Sequence, residues 1–108
     1  MEPEQASMKV EYGIGVTHVQ FVDRKILDEG KIAELRESLE PVIEKNGDGQ
    51  MLLNFVNVEF MTSAMLGLLV RLNKKVRERG GGLGLCNVAP GIREVFEITQ
   101  LTKVFKIS

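Results

Sequence analysis

The sequence predicts a single α/β domain: a mixed, mainly parallel β-sheet of about four to five strands packed by α-helices. Two observations carry this prediction. Short segments rich in β-branched and aromatic residues alternate with longer segments of helical periodicity, and a chain of 108 residues suits one domain. The predicted order is β-β-α-β-α-β-α-β. Because helices connect successive strands, the crossovers should be right-handed and most strand pairs parallel.

The N-terminal part of the chain is predicted to form two strands. Residues 1–7 have the composition of a flexible polar tail, so the domain is expected to occupy residues 8–108. Segments at 8–12 and 16–22 are rich in β-branched and aromatic residues. The glycines between them favour a hairpin or two adjacent strands.

The first helix is predicted from five apolar residues that share one face at helical spacing. They are Ile32, Leu35, Leu39, Val42 and Ile43. Asp28 or a neighbour can cap this helix, and Glu29 lies near its positive end. Pro41 lacks a backbone donor, so we expect it to kink the helix or to end it early. Residues 46–49 (NGDG) predict a turn.

A central strand and a second helix are predicted next. The nearly continuous apolar run at 51–56 suits a strand buried on both faces, with an alternating pattern continuing toward Thr62. The second helix should run from about Ser63 to Arg79, where Gly80 stops it and basic side chains complement its negative end. Its broad apolar face comprises Met65, Leu66, Leu68, Leu69, Leu72 and Val76.

The C-terminal part is predicted to contain a strand, a helix and a short closing segment. The strand spans 83–88, and Pro90 suits the first turn of the helix. That helix is expected to present Ile92, Val95 and Phe96 to the core. The closing strand or docked extension contains Leu101, Val104, Phe105 and Ile107.

Composition restricts the class of partner. Fourteen basic residues nearly cancel fifteen acidic ones, so no net basic field favours nucleic acid or an anionic membrane. Residues 51–70 have the length of a membrane span, but polar side chains near their middle argue against one. A single cysteine and a single histidine exclude an internal disulfide and disfavour a metal cluster. With no secretion signal apparent, we expect a cytoplasmic protein.

Four features resemble reactive sites but do not favour chemistry. The glycine run at 79–85 follows a helix and enters a strand, the reverse of a dinucleotide-binding loop. Cys86 is expected to be a small buried hydrophobe, and His18 a surface or edge residue. A serine hydrolase would need glycines two residues either side of Ser63, and both positions are methionine. No catalytic residue, metal ligand or cofactor is therefore predicted.

The hydroxyl pair Thr62 and Ser63 is the strongest candidate site. A side-chain hydroxyl there can cap the second helix and contribute about 1 kcal/mol. The same position suits a switch, since a phosphate on Ser63 would add about two negative charges at the positive end of the helix. That charge would disrupt a partner protein packed over the start of the helix, without refolding of the domain.

Two ordered blocks of sequence resemble the STAS domain of anti-sigma factor antagonists. They are LLNFVNVEFMTSAMLGLLVRL at 52–72 and RGGGLGLCNVAPGIREVFEITQLTKVF at 79–105. The resemblance implies a protein-binding module of transcription regulation that works by partner switching. It would bind an anti-sigma factor that is also a serine kinase, and phosphorylation of the serine aligned with Ser63 would end binding. A phosphatase, expected to be of the PP2C type, would reset it.

The family pattern also places a partner-binding surface at five consecutive residues: Thr62, Ser63, Ala64, Met65 and Leu66. Thr62 replaces the usual aspartate and becomes a second candidate phosphoacceptor. Ala64 replaces the second serine, and Met65 replaces a glycine, which should make the start of the helix bulkier. Asn54 replaces an aspartate often found in the preceding strand. These departures leave open a constitutive scaffold or assembly subunit that phosphorylation does not control.

The C-terminal end bears on that alternative. The sequence stops at Ser108, before the further helix common in the family, and the apolar surface left open could support a homodimer.

Overall fold

The computed structural model describes residues 8–108, so the predicted tail at 1–7 lies outside the described residues. Seven strands lie within these residues: β1 Met8–Tyr12, β2 Val16–Phe21, β3 Lys25–Ile26, β4 Gln50–Asn54, β5 Phe60–Met61, β6 Gly82–Cys86 and β7 Lys106–Ile107. The helices are α1 Glu29–Asn46, α2 Ser63–Glu78 and α3 Pro90–Ile98, with a 3-10 turn at Leu101–Lys103.

Five of the strands form one mixed sheet in the order β1-β2-β4-β6-β7. β1 is antiparallel to β2, and every other pair in the sheet is parallel. Val19, Leu53 and Leu85 lie side by side on the three central strands, and none of them is exposed to solvent. This architecture confirms the predicted fold class, because the parallel strands are joined through α1, α2 and α3.

A second, two-stranded sheet was not predicted. β3 and β5 pair in parallel, with Lys25 opposite Phe60 and Ile26 opposite Met61. The central strand β4 ends at Asn54, so the predicted strand at 51–56 is two residues too long at its C-terminal end. The Asn54 side chain accepts a hydrogen bond from the Val56 amide at 2.9 Å and turns the chain out of the sheet.

Helix α1 confirms one prediction and corrects another. Asp28 is its N-cap, and the side chain accepts a hydrogen bond from the Lys31 amide at 3.0 Å. Pro41 was expected to kink or end the helix, but α1 continues through it to Asn46. Both Pro41 and Glu37 are exposed, so the carbonyl that loses its backbone donor can bind water instead.

Helix α2 begins at Ser63 and stops at the predicted glycine. Gly80 adopts a φ of +87°, which favours glycine, and its amide donates to the Arg77 carbonyl at 2.9 Å. The Gly81 amide donates to the Val76 carbonyl at 3.0 Å. The glycine run thus ends a helix and starts β6, as the sequence indicated.

The single histidine and the single cysteine both depart from prediction, since His18 was expected at the surface or an edge and Cys86 was expected to be buried. His18 is half-buried on β2, an interior strand rather than an edge, and its Nε2 lies 3.5 Å from the Asn54 amide nitrogen. Cys86 is half-buried at the end of β6, where burial raises the pKa of its thiol. Neither the position nor the pKa of this thiol favours nucleophilic chemistry.

Candidate functional site

The start of α2 is held in place by the small sheet. β5 ends at Met61, and the amide of Thr62 then donates to the Ile26 carbonyl at 3.2 Å. Thr62 keeps an extended backbone conformation as N-cap, and Ser63 is the first helical residue. Because β3 and β5 pair in parallel, the turn into α2 has a defined position relative to the chain that enters α1.

The five consecutive residues of the predicted partner-binding surface divide into three groups by exposure. Ser63 and Ala64 are exposed, whereas Met65 and Leu66 are buried and Thr62 is half-buried. Met65 points into the core, so it does not make the start of the helix bulkier, contrary to expectation. Only Ser63 and Ala64 can contact a partner with most of their side-chain atoms.

The predicted side-chain cap is absent. Thr62 makes no side-chain cap hydrogen bond, and the Met65 amide donates instead to the Thr62 backbone carbonyl at 3.0 Å. The Thr62 hydroxyl oxygen is buried and has no hydrogen-bond partner among the described residues. A buried, unpaired hydroxyl loses its hydration without compensation, which costs about 1–3 kcal/mol.

Replacing Thr62 by valine should therefore leave the domain at least as stable. Valine keeps the branched shape and removes the unpaired hydroxyl, so we expect an unchanged free energy of unfolding or a gain of about 1 kcal/mol. Urea denaturation followed by circular dichroism measures this. A loss above about 1 kcal/mol would show that the hydroxyl has a stabilising partner.

An apolar groove of about 470 Å³ opens beside Ser63. Its apolar lining comes from the small sheet, α2, α3 and the chain before α1: Leu27, Phe60, Met61, Leu66, Ile92 and Val95. Leu27, Phe60 and Val95 are 50%, 51% and 42% exposed, so the groove presents apolar surface to solvent. Contiguous exposed apolar surface of this kind is typical of a docking site.

Sequence reasoning missed this groove. Val95 was assigned to the core, but it lines the groove on α3, while Ile92 and Phe96 are buried as expected. Leu27 and Phe60 meet there only because β3 pairs with β5. The signal in the sequence was that Leu27 and Phe60 are apolar residues outside the predicted helices.

The groove carries little charge. Of the described residues that line it, Glu59 alone is ionised at neutral pH. The Arg24 guanidinium donates to the Glu59 carboxylate at 2.8 Å, which lowers the pKa of Glu59 and raises the pKa of Arg24. Among those lining residues there is thus no cation to neutralise a phosphate on Ser63.

Ser63 itself is unsuited to nucleophilic catalysis. Its hydroxyl makes no hydrogen bond or other polar contact with any residue at 8–108, whereas an activated serine needs a base within hydrogen-bond reach. An exposed hydroxyl on the rim of an apolar groove is instead accessible to a modifying enzyme, and its modification would alter the groove.

Comparison with known proteins identifies the family to which this fold belongs. The family model described as STAS domain matches residues 8–108. An anti-sigma-B factor antagonist of Bacillus subtilis is 36% identical over 74 residues, which cover 68% of this chain and 66% of that protein. An anti-sigma-B factor antagonist of Staphylococcus epidermidis is 30% identical, with 86% of this chain and 88% of that protein covered.

A solved structure has the same fold over most of its length. The anti-sigma-factor antagonist (STAS) domain protein from Planctomyces limnophilus superposes with a TM-score of 0.85 at 25% identity, covering 94% of this chain and 89% of that one.

As for the apolar run at 51–70, no helix within residues 8–108 has the length and apolarity that crossing a membrane requires.

Proposed function

The chain belongs to the STAS domain family, and from that premise we propose that it is an anti-sigma factor antagonist switched off by phosphorylation at Ser63. Curated relatives that carry the name anti-sigma factor antagonist support the general role. The observation that carries the switch is the exposed Ser63 hydroxyl at the first position of α2, on the rim of the apolar groove.

In the unphosphorylated state the apolar groove would receive an apolar segment of the anti-sigma factor. Each 100 Å² of apolar surface removed from water contributes about 2.5 kcal/mol before the costs of association. Leu27, Phe60 and Val95 each keep about half of their surface exposed in the free protein. They therefore have the most to gain from burial, and Ser63 and Ala64 would lie at the edge of the interface.

Phosphorylation would act on the complex rather than on the fold. The phosphate would lie at the N-terminus of α2, whose dipole favours negative charge, so the free domain tolerates it. In the complex the same charge would be desolvated against an apolar partner, and the one ionised residue of the described groove lining, Glu59, is itself negative. The affinity falls because only the bound state loses solvation of the phosphate.

Ser63 is a better acceptor than Thr62. A kinase must reach the hydroxyl oxygen, and the Thr62 oxygen is buried whereas Ser63 is exposed. We assign the phosphate to Ser63 and give Thr62 a structural position between β5 and α2. The anti-sigma factor would itself be the serine kinase, a PP2C-type phosphatase would reverse the modification, and the cycle would run in the cytoplasm, where sigma factors act.

The test compares two acidic substitutions. Ser63→Asp should weaken binding to the cognate anti-sigma factor by at least about tenfold, or about 1.4 kcal/mol. Ser63→Ala should bind like the unmodified protein. Thr102→Asp is the matched control, because it places the same charge on another exposed hydroxyl residue in a helical turn, away from the groove. Isothermal titration calorimetry supplies the affinities.

The phosphoacceptor is identified by incubating the protein with the anti-sigma factor and ATP, followed by peptide mass spectrometry. We expect phosphate on Ser63. Modification confined to other residues, or equal affinity of Ser63→Asp and Thr102→Asp, would refute the switch. Tight binding insensitive to Ser63→Asp would favour the alternative, a constitutive STAS-type scaffold or assembly subunit. Self-association as a homodimer would be seen by sedimentation in the same samples.

A further inference from the structure

A second cavity, of about 370 Å³, lies between the first turns of α1 and α2. We call it the α1–α2 cleft. It is distinct from the apolar groove and shares no lining residue with it. Its lining residues on α1 are Glu29, Ile32, Ala33 and Arg36, and those on α2 are Ala64, Gly67, Leu68 and Arg71.

Residues 35 positions apart on α1 and α2 face each other, and the signs of their charges change at the cleft. Toward the C-terminal ends, residues 35 apart carry opposite charges and form ion pairs: Glu40 with Lys75, and Glu44 with Arg79. At the cleft the same spacing of 35 sets Arg36 opposite Arg71. Within residues 8–108 neither arginine has an ion pair or a hydrogen bond to another side chain.

The backbone adds positive potential at the same place. Glu29 is the first residue of α1 and Ala64 the second of α2, so both helices begin at the cleft. Helix N-termini carry a partial positive charge of about half a unit each. Within residues 8–108, Glu29 is the one acidic residue of the lining, against two arginines. The described lining therefore has an excess of positive charge that no side chain balances.

The floor of the cleft leaves room for a ligand. Ala33, Ala64 and Gly67 have small or no side chains, and a methyl group added at Gly67 would meet no atom within 4 Å. Ile32 and Leu68 are buried beneath these three small residues. An anionic group on a short carbon stem could approach the backbone here while both guanidinium groups reach it from either side.

We propose that the α1–α2 cleft is a binding site for a phosphate monoester. The two guanidinium groups and the two helix N-termini, less the Glu29 carboxylate, amount to about two positive charges, and a phosphate monoester carries close to two negative charges at neutral pH. Arginine matches phosphate oxygens with paired, charge-assisted hydrogen bonds. A monocarboxylate would neutralise one arginine and leave the like-charge repulsion of the other.

The proposal is tested on the protein alone, so its outcome is independent of the proposed function. ¹⁵N-labelled protein is titrated with inorganic phosphate, with glycerol 3-phosphate and with acetate at constant ionic strength. We expect saturable shifts at the Ala64 and Gly67 amides and at the arginine Nε–H groups, with acetate much weaker. The double variant R36Q/R71Q should weaken binding at least about tenfold, the equivalent of one charge-assisted hydrogen bond.

Two further variants keep the result interpretable. Arg77→Gln removes one positive charge from an exposed position of α2 outside the cleft, and should bind as the unmodified protein does. Gly67→Ala narrows the cleft without loss of helix stability, and should weaken binding. Shifts that do not saturate, that persist unchanged in R36Q/R71Q, or that R77Q abolishes equally would overturn the proposal.

Discussion

Replacing Phe55 by alanine should lower the free energy of unfolding by about 3–5 kcal/mol, the range for a buried phenylalanine. Phe55 is 1% exposed and packs against Phe21, with ring centroids 5.0 Å apart and ring planes tilted by 52°. It lies directly after β4, where its amide donates to the Cys86 carbonyl at 3.0 Å. The substitution would leave a cavity between the sheet and the chain leading to β5, because backbone hydrogen bonds on both sides resist collapse.

The matched control is Phe60→Ala. Phe60 is 51% exposed, so its loss should change the free energy of unfolding by less than about 1 kcal/mol. Under the proposed function the same variant should weaken binding to the anti-sigma factor, because Phe60 lines the apolar groove. Urea denaturation separates the two variants. Equal losses of stability would mean that the burial of Phe55 does not determine the stability of this region.

Replacing Gly81 by alanine should lower the free energy of unfolding by about 2–3 kcal/mol through overpacking. A methyl group at this position would lie 2.4 Å from the Gly49 backbone oxygen and 3.2 Å from a Val76 methyl group. Two chain segments meet backbone to backbone there, at the entrances to β4 and β6. A backbone oxygen cannot rotate away as a flexible side chain can, so the first pairs of the β4–β6 ladder must shift.

Gly67→Ala is the control for a glycine with free space. It lies inside α2, and the added methyl group meets nothing within 4 Å. Alanine should raise the free energy of unfolding by about 0.5–1 kcal/mol, because it restricts the unfolded chain. Thermal and urea unfolding of both variants measure the difference. If Gly81→Ala were as stable as Gly67→Ala, the close approach at Gly49 would not be a constraint.

The elements predicted from sequence were those whose signals are local. Apolar spacing identified α1 and α2, Asp28 identified the start of α1, and Gly80 identified the end of α2. Each is read correctly because the residues that determine the element lie within it or next to it. The prediction for Pro41 was wrong because this proline lies on the exposed face of α1, while the opposite face packs on the core. On the exposed face the carbonyl that loses its donor can bind water, so the helix continues.

The small sheet and the apolar groove depend on contacts distant in sequence. β3 and β5 have two residues each, too few for a periodic pattern, and they form because Arg24 and Ile26 offer carbonyls to residues 59, 60 and 62. Leu27, Phe60 and Val95 come from three separate segments, so no local pattern reveals that they share one surface. The opposition of Arg36 and Arg71 likewise requires the packing of α1 on α2.

Sequence by itself determined the α/β class, the main helices and the place of Ser63 at the start of α2, since hydrophobic periodicity and turn chemistry act over a few residues. The tertiary structure alone decided what surrounds that serine. It buries the Thr62 hydroxyl and Met65, leaves Ser63 and Ala64 exposed, and assembles the apolar groove beside them. Burial and exposure at a helix N-terminus depend on which other segments pack there, and that is a property of the whole fold.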